Sequence, residues 1–256
     1  MKRFLAVLLS VSVAAMAAAD EFVPVSGYEF MEPATRELQD DDFLNPAFFL
    51  VEQGQKLWNE DWPGAEGTTR SCASCHGDPE SLRGAATRYP KYDEAASGLV
   101  NLELKINGEI VDKLGAKPLA YESEEMLALT ALVGFQSRDM PMAVEADTLN
   151  EAQLERGREM FDKRRGQLNL ACKSCHQDHW GEKLRGDTIS QGQINGFPTY
   201  RLKQASLVSV HNRFRGCIRD TRAEYPAAFS DELMALEVYV TWRGTGLSVE
   251  PPAVRQ

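Results

Sequence analysis

Positive charge and long apolar segments are both scarce in this sequence. The 256 residues include 28 Lys and Arg against 38 Asp and Glu, which gives a formal net charge of -10 at pH 7. Such an acidic surface repels phosphate groups, so it argues against nucleic acids and anionic membranes as partners. Beyond the N-terminal segment, no stretch has the roughly 20 apolar residues that a membrane-spanning helix needs. We therefore expect a protein without a membrane span and without a nucleic-acid partner.

The first nineteen residues have the pattern of a secretory signal peptide. Lys2 and Arg3 precede an apolar run that ends in Ala17-Ala18-Ala19, the small-residue pattern of a cleavage site. A retained membrane anchor is the weaker interpretation, because the apolar run is shorter than a bilayer span requires. Removal of the two cations would take the net charge from -10 to -12. The pattern predicts an exported protein that is periplasmic in a bacterium.

Cysteine and histidine are also few, and most of them lie in two short motifs. CASCH occupies residues 72–76 and CKSCH occupies residues 172–176. In a C-x-x-C-H motif both thiols attach to the vinyl groups of a haem, and the histidine binds the iron. Zinc or disulfides are the alternatives, but zinc needs ligands that converge on one point. The spacing predicts two covalently bound haem c groups. The attachment residues are Cys72, Cys75, Cys172 and Cys175, and the proximal iron ligands are His76 and His176.

The two motifs lie in two similar halves of the chain. Before each motif, a helical pattern carries a glycine and an aromatic residue four positions apart, Gly54 with Trp58 and Gly157 with Phe161. After each motif comes a second similar segment, SEEMLALTALV in the first half and SDELMALEVYV in the second, at an offset of 107 residues. This order resembles class I cytochrome c, in which the first and last helices cross at a glycine/aromatic pair.

The repeat defines a predicted domain organisation. We expect an all-α fold with two class I cytochrome c-like domains in tandem, each with one covalently bound haem, because the length exceeds that of one small core. The polar segment QSRDMPMAVEADTLN separates the halves and places the boundary near residue 147. The expected units are a signal peptide (1–19), an N-terminal extension (20–44), a first domain (45–147) and a second, catalytic domain (148–256).

The first half lacks an obvious sixth ligand for its haem iron. No Cys, His or Met occurs between His76 and Met126. At the offset of 107 residues, the first-half counterpart of Cys217 is Ile110, which cannot bind iron. The sixth position is therefore left open or filled from a set of lysines and methionines, of which we prefer Met140 and Met142. The full set is Lys105, Lys113, Lys117, Met126, Met140 and Met142.

The fifth cysteine, Cys217, lies where a class I cytochrome presents its distal ligand, thirteen residues before Ser230. A thiolate there is a soft anionic ligand that stabilises ferric iron and lowers the reduction potential. Four arginines lie close to Cys217 in the sequence. Their guanidinium groups can bind oxyanions and favour the thiolate form of a nearby cysteine. The pattern indicates a sulfur nucleophile that faces an anionic sulfur substrate, and a solvated basic loop or propionate partners are the alternatives. The arginines concerned are Arg213, Arg215, Arg219 and Arg222.

Two further histidines lie outside the motifs. Because Cys217 already fills the second distal position, we expect His179 and His211 at the surface or beside a haem propionate. His211 is close enough in sequence to Cys217 to replace it as a ligand if the cysteine is removed.

Four segments of the chain resemble the SoxA family, the larger subunits of the SoxAX cytochromes of bacterial thiosulfate oxidation. These segments are GCIRDTRAEYP, ALEVYVTWRGTGL, NLELKIN and KPLAYESEEMLALTALVGFQSRDMP. The resemblance extends from about residue 45 to the end of the chain. It implies that Cys217 is both the distal ligand of the second haem and the catalytic residue, often as a persulfide, and that Arg213 binds substrate. Dihaem members have a further cysteine near the position of Glu109, as distal ligand of the first haem, and this chain lacks it.

The resemblance implies an L-cysteine S-thiosulfotransferase. Such an enzyme couples thiosulfate oxidatively to the thiol of a carrier protein, SoxY, and passes the electrons to a small cytochrome partner, SoxX. Two alternatives are a dihaem electron carrier without chemistry of its own and a thiosulfate dehydrogenase that forms tetrathionate. The arginine cluster favours the transferase over the carrier, because pure electron transfer does not require a small anion to be bound.

Overall fold

The computed structural model describes residues 22–64, 67, 69–144 and 151–256. The expected signal peptide and the expected boundary near residue 147 lie outside the described residues. Within the described ranges, every helix is too short or too polar to cross a lipid bilayer.

The described residues form nine α-helices and nine short β-strands. The helices are α1 (Pro33–Asp40), α2 (Phe48–Asn59), α3 (Cys72–His76), α4 (Leu102–Asp112), α5 (Glu124–Phe135), α6 (Glu151–Asp162), α7 (Cys172–His176), α8 (Val210–Asp220) and α9 (Asp231–Arg243). The strands are β1 (Trp62–Pro63), β2 (Thr69–Arg70), β3 (Lys91–Asp93), β4 (Gly98–Val100), β5 (Lys183–Leu184), β6 (Asp187–Thr188), β7 (Thr199–Arg201), β8 (Ser206–Val208) and β9 (Ala253–Arg255). Three 3₁₀-helices span Gly27–Phe30, Pro79–Leu82 and Ala86–Arg88.

The expectation of an all-α fold is not confirmed, because the strands pair into small sheets. β1 with β2, β3 with β4, and β5 with β6 form antiparallel pairs, and β7 lies between β8 and β9 in a three-stranded sheet. The strands are only two or three residues long, so their alternation was too short to be recognised in the sequence. Helices still form the main packing layers.

Each half is built around a pair of crossed helices, α2 with α5 and α6 with α9. At the crossings, a Cβ on Gly54 would lie 2.4 Å from the carbonyl oxygen of Ala128, and a Cβ on Gly157 would lie 2.1 Å from that of Ala235. These distances are far below van der Waals contact, so only glycine permits the backbones to come this close. The predicted crossing at both glycines is confirmed.

Helices α4 and α8 occupy the same place in the two halves. Each follows an antiparallel hairpin, β3–β4 or β7–β8, and each begins at a side-chain cap. Asn101 accepts a hydrogen bond from the backbone N–H of Leu104, and Ser209 accepts one from that of Asn212. Matching the caps gives an offset of 108 residues for this segment, one more than the 107 between α5 and α9. Cys217 therefore corresponds to Glu109, and the sequence-based match to Ile110 was wrong.

The N-terminal extension and the C-terminal strand pack together. Helix α1 lies against β9, where the side-chain oxygen of Gln39 accepts a hydrogen bond from Val254 N at 3.0 Å. The side chain of Asn45 donates to the carbonyl oxygen of Pro252 at 2.8 Å. The segment before α2 is thus fixed on the second half of the chain, beside the sheet that leads into α8.

Candidate active site

The second C-x-x-C-H motif forms the short helix α7, which holds His176 in a defined orientation. His176 Nδ1 lies 2.8 Å from the carbonyl oxygen of Ser190. A carbonyl only accepts, so the proton is on Nδ1 and Nε2 is free to bind iron. Gly192 closes the other side of the ring, since a Cβ there would lie 2.7 Å from His176 Cγ. These contacts are those expected of a proximal haem ligand.

The first C-x-x-C-H motif forms the short helix α3 and opens onto an apolar cavity. The cavity measures about 760 Å³, is partly open to solvent and is lined by Cys72, Cys75 and His76 together with aliphatic side chains of α4 and α5. Trp58 closes one side, with its ring 5.7 Å from that of His76 and its Nε1 donating to the carbonyl oxygen of Gly77. The donor set and the apolar walls fit a covalently attached haem.

Within the described part of the chain, no three His, Cys, Asp or Glu side chains converge on a point in the manner of a metal site. None of the five cysteines is paired with another in a disulfide. The zinc and disulfide alternatives therefore have no support in this arrangement.

Helix α8 brings Cys217 to His176, although the two residues are 41 positions apart in the sequence. The imidazole of His176 is close enough to lower the pKa of the Cys217 thiol, so the predicted proximal and distal residues of the second haem lie at one site. Cys217 retains partial solvent exposure. This placement combines a metal-facing thiol with access for a small reactant.

The thiol of Cys217 has a different electrostatic environment from the thiols of the second C-x-x-C-H motif. Burial raises its pKa, but the positive charge of Arg213 and the neighbouring imidazole of His176 more than offset burial and lower the pKa to about 7. Burial dominates at Cys172 and raises the pKa of that thiol to about 11. Cys217 is thus the thiol that readily becomes a thiolate, the nucleophilic form.

Of the four arginines grouped near Cys217 in the sequence, only Arg213 acts on it. Arg215 lies over the ring of Tyr225 at 4.6 Å, and Arg219 pairs with Asp220 at 3.3 Å. The guanidinium of Arg222 contacts the side-chain oxygen of Gln167. The sequence-based arginine cluster is therefore spread over different surfaces, because residues along a helix point in different directions.

A second arginine, Arg201 on β7, completes the site and was missed in the sequence. Burial and the positive charge of Arg213 together lower the pKa of Arg201 to about 10, and the negative charge of Cys217 opposes this shift. Arg201, Arg213 and Cys217 are therefore close neighbours. No motif marks Arg201, since it lies 16 residues before Cys217 on a three-residue strand.

The expectation for His211 was also wrong, because this residue is fully buried. Its Nδ1 accepts a hydrogen bond from Phe229 N at 2.9 Å. Its Nε2 lies 2.9 Å from Oε2 of Glu237, a polar contact rather than an aligned hydrogen bond. The same carboxylate oxygen accepts from the side chain of Asn101 at 3.0 Å. Glu237 thereby ties the starts of α4 and α8 to α9. His179 is exposed as expected, beside Glu182.

The methionines preferred as ligands of the first iron do not border the first cavity. Met126 is buried in contact with the hydroxyl of Thr130. Met142 is buried outside the cavity wall, and the side chain of Met140 lies beside Gly84. Of the other residues proposed from the sequence, Lys105 and Lys113 line the cavity and Lys117 does not.

Comparisons with known proteins agree with this architecture. The family model for the SoxA/TsdA cytochrome c domain matches residues 53–142 and 156–249. The L-cysteine S-thiosulfotransferase subunit SoxA of Pseudaminobacter salicylatoxidans is 51% identical, over 91% of this chain and 81% of that protein. Its counterpart from Paracoccus pantotrophus is 43% identical, over 93% of this chain and 81% of that protein. The crystal structure of SoxXA from P. pantotrophus matches with a TM-score of 0.86 and 43% identity, covering 91% of this chain and 87% of that one.

Proposed function

This chain belongs to the SoxA/TsdA cytochrome c family, and from that premise we propose how it acts as an L-cysteine S-thiosulfotransferase subunit. Its second half couples thiosulfate oxidatively to a cysteine thiol of a carrier protein of the SoxY kind. The observation that supports this proposal is the grouping of the Cys217 thiol with His176, Arg213 and Arg201, together with the lowered pKa of the thiol. Arg213 and Arg201 supply the positive charge that a small sulfur oxyanion requires.

The wider assignment follows from the same residues. We propose two cytochrome c domains, residues 45–147 and 148–256, on the support of the two crossed helix pairs. Two haem c groups, attached through the paired cysteines and bound by His76 and His176, would accept electrons and pass them to a small cytochrome of the SoxX kind. The signal-peptide pattern of residues 1–19 supports a periplasmic location.

The chain's own residues account for binding and sulfur transfer. Arg201 and Arg213 hold the sulfonate oxygens of thiosulfate, which turns the outer sulfur towards Cys217. The Cys217 sulfur and the outer sulfur form a sulfur–sulfur bond with the release of two electrons. The carrier thiolate then attacks the outer sulfur by thiol–disulfide exchange, takes the –S–SO₃⁻ group and leaves Cys217 as a thiolate. In a persulfide form of Cys217, the outer sulfur of the persulfide would form the bond to thiosulfate, and the transfer to the carrier would proceed in the same way.

A conjugation assay tests this proposal. The oxidised protein, with its cytochrome partner, is mixed with thiosulfate and a carrier that has one reactive cysteine. Mass spectrometry should show one –S–SO₃⁻ group on the carrier. Free tetrathionate with an unmodified carrier would instead indicate thiosulfate dehydrogenase activity. Reduction of the haems without any new sulfur–sulfur bond would indicate an electron carrier.

Replacement of Arg213 tests the anion-binding role. We expect Arg213→Lys to raise the KM for thiosulfate by about tenfold, because lysine keeps the charge but loses the forked hydrogen bonds to sulfonate oxygens. The matched control is Arg219→Lys, on the same helix, whose guanidinium pairs with Asp220 and is largely exposed. The control should keep the KM of the unaltered protein. An unchanged KM in Arg213→Lys would exclude Arg213 as an anion ligand.

Replacement of Arg201 separates substrate binding from thiol activation. If Arg201 holds a sulfonate oxygen, Arg201→Gln should raise the KM by at least about tenfold, the effect of losing a hydrogen bond to a charged group. A lower kcat at constant KM would show that Arg201 acts on the thiolate alone. Steady-state kinetics of the single variants and of the double variant with Arg213→Lys distinguish these results.

A further inference from the structure

Helices α4 and α8 are the same element of the internal repeat, so residues of one have counterparts in the other. Each helix follows a hairpin and starts at a capping side chain, Asn101 in α4 and Ser209 in α8. At the offset of 108 fixed by these caps, Cys217 corresponds to Glu109 and Arg213 corresponds to Lys105. A thiol and a cation four residues before it in the second half are thus matched by a carboxylate and a cation in the first.

The first-half pair faces the cavity of the first C-x-x-C-H motif. Lys105 and Glu109 both line that cavity together with His76, and Lys105 Nζ lies 2.6 Å from Oε1 of Glu109. The neighbouring Ile110 is only 1% exposed and packs with Leu114 and Leu129. Ile110 also lines the cavity, but its aliphatic side chain has no donor atom for iron, so a shift of one position exchanges a carboxylate for a residue that cannot be a ligand.

In both halves, the residue at the position of Cys217 or Glu109 lies near the first cysteine of the C-x-x-C-H motif. In the second half, burial raises the pKa of Cys172 and the negative charge of Cys217 adds to the effect. In the first half, burial raises the pKa of Cys72 to about 11 and the negative charge of Glu109 adds to the effect. Glu109 is therefore near the first cysteine of its motif, as Cys217 is near the first cysteine of the other.

We propose that Glu109 is the distal iron ligand of the first haem site and that Lys105 is its positioning residue. The inference rests on the proposed function in one respect, the presence of a haem on Cys72 and Cys75. Lys105 is the less suitable donor, because its ammonium group has no lone pair and already donates to the carboxylate. A carboxylate is a hard oxygen ligand, whereas the thiolate of Cys217 is soft. The two sites therefore differ in ligand chemistry on one scaffold.

Electron paramagnetic resonance of the oxidised holoprotein tests the ligand. We expect one thiolate-ligated ferric signal in the unaltered protein, from the second site, and a second one in Glu109→Cys. The integrated thiolate signal should therefore double. Glu109→Gln should alter the first-site signal and leave the second-site signal intact. Asp112→Asn, at an exposed position of the same helix that does not line the cavity, is the control and should change neither. Lys113→Gln tests the rival lysine of the cavity, and an altered first-site signal there would assign the ligand to Lys113 instead of Glu109.

Lysine variants distinguish a positioning residue from a ligand. If Lys105 only holds the carboxylate, Lys105→Gln should shift the first-site signal and Lys105→Arg should restore it, because arginine can still pair with Glu109 but does not bind iron. Loss of the signal in Lys105→Arg, or an unchanged first-site signal in Glu109→Gln, would overturn the inference. Mass spectrometry of each variant counts the attached haems. A single haem in the unaltered protein would refute the two-haem proposal itself, while two haems with an unaffected Glu109→Gln signal would refute the ligand alone.

Discussion

We expect Cys217→Ser to lower the rate of thiosulfate conjugation by on the order of a thousandfold, while haem attachment through the other four cysteines should be unaffected. Serine has nearly the same size, so the fold should be kept. Its hydroxyl oxygen is not ionised at neutral pH and cannot form the sulfur–sulfur bond that the reaction needs. The conjugation assay with the carrier thiol measures this loss, and mass spectrometry verifies the covalent haems.

A neighbouring position on α8 supplies the control for this variant. A Cβ at Gly216 would have only Arg219 near it, at 4.0 Å, so Gly216→Ala should fit without a clash and retain activity. A Cys217→Ser protein as active as Gly216→Ala would refute the role of the thiol. Ligand exchange to His211 should not complicate the spectrum of the variant, because that imidazole is buried and held by Phe229 and Glu237.

Gly157→Ala is expected to have the largest effect on stability. The added methyl would lie 2.1 Å from the carbonyl oxygen of Ala235 and 2.5 Å from Cβ of Tyr239, so α6 and α9 would have to move apart. Forced overpacking of this kind lowers the free energy of unfolding by about 3 kcal/mol. Thermal unfolding followed by circular dichroism measures the change, and Gly54→Ala should act in the same way on the α2–α5 crossing.

Gly108 provides a matched control, since it also lies within a helix. A Cβ at Gly108 would meet no atom within 4 Å, so Gly108→Ala should leave the fold intact and raise stability by about 0.5–1 kcal/mol. Equal unfolding temperatures for Gly157→Ala and the unaltered protein would show that the crossing tolerates a larger residue and would contradict the packing described above.

The two halves differ in the residues at helices α4 and α8, and this difference fits the proposal that the second half carries out the sulfur chemistry. Both have the same order of elements and a cation one helical turn before the distal position. In the second half this cation is an arginine beside a cysteine, which suits forked recognition of an oxyanion next to a nucleophile. In the first half it is a lysine that pairs with a carboxylate, so neither a nucleophilic sulfur nor a forked anion site is present there.

Several features of this protein follow from the sequence alone because they depend on groups that are close along the chain. Both C-x-x-C-H motifs place thiols and imidazole within five residues, a spacing that covalent attachment of a haem requires. The glycine/aromatic pairs at Gly54 and Gly157 mark the helix crossings, since four residues make about one helical turn. Cys217 stands out because it lies outside both motifs, and its family resemblance extends over the surrounding residues.

Other features were decided only by the tertiary structure, because they join groups that are distant along the chain. The fold brings Arg201 on β7 within electrostatic reach of Cys217 on α8, and it buries His211 against Glu237 of α9. The alignment of α4 with α8 was also decided by the structure. The offset between the halves is 108 residues for these helices and 107 for α5 and α9, so a single offset aligned the wrong residue with Cys217. Both Glu109 and Ile110 line the first cavity, and a shift of one position exchanges a carboxylate that can bind a metal for an aliphatic side chain that cannot.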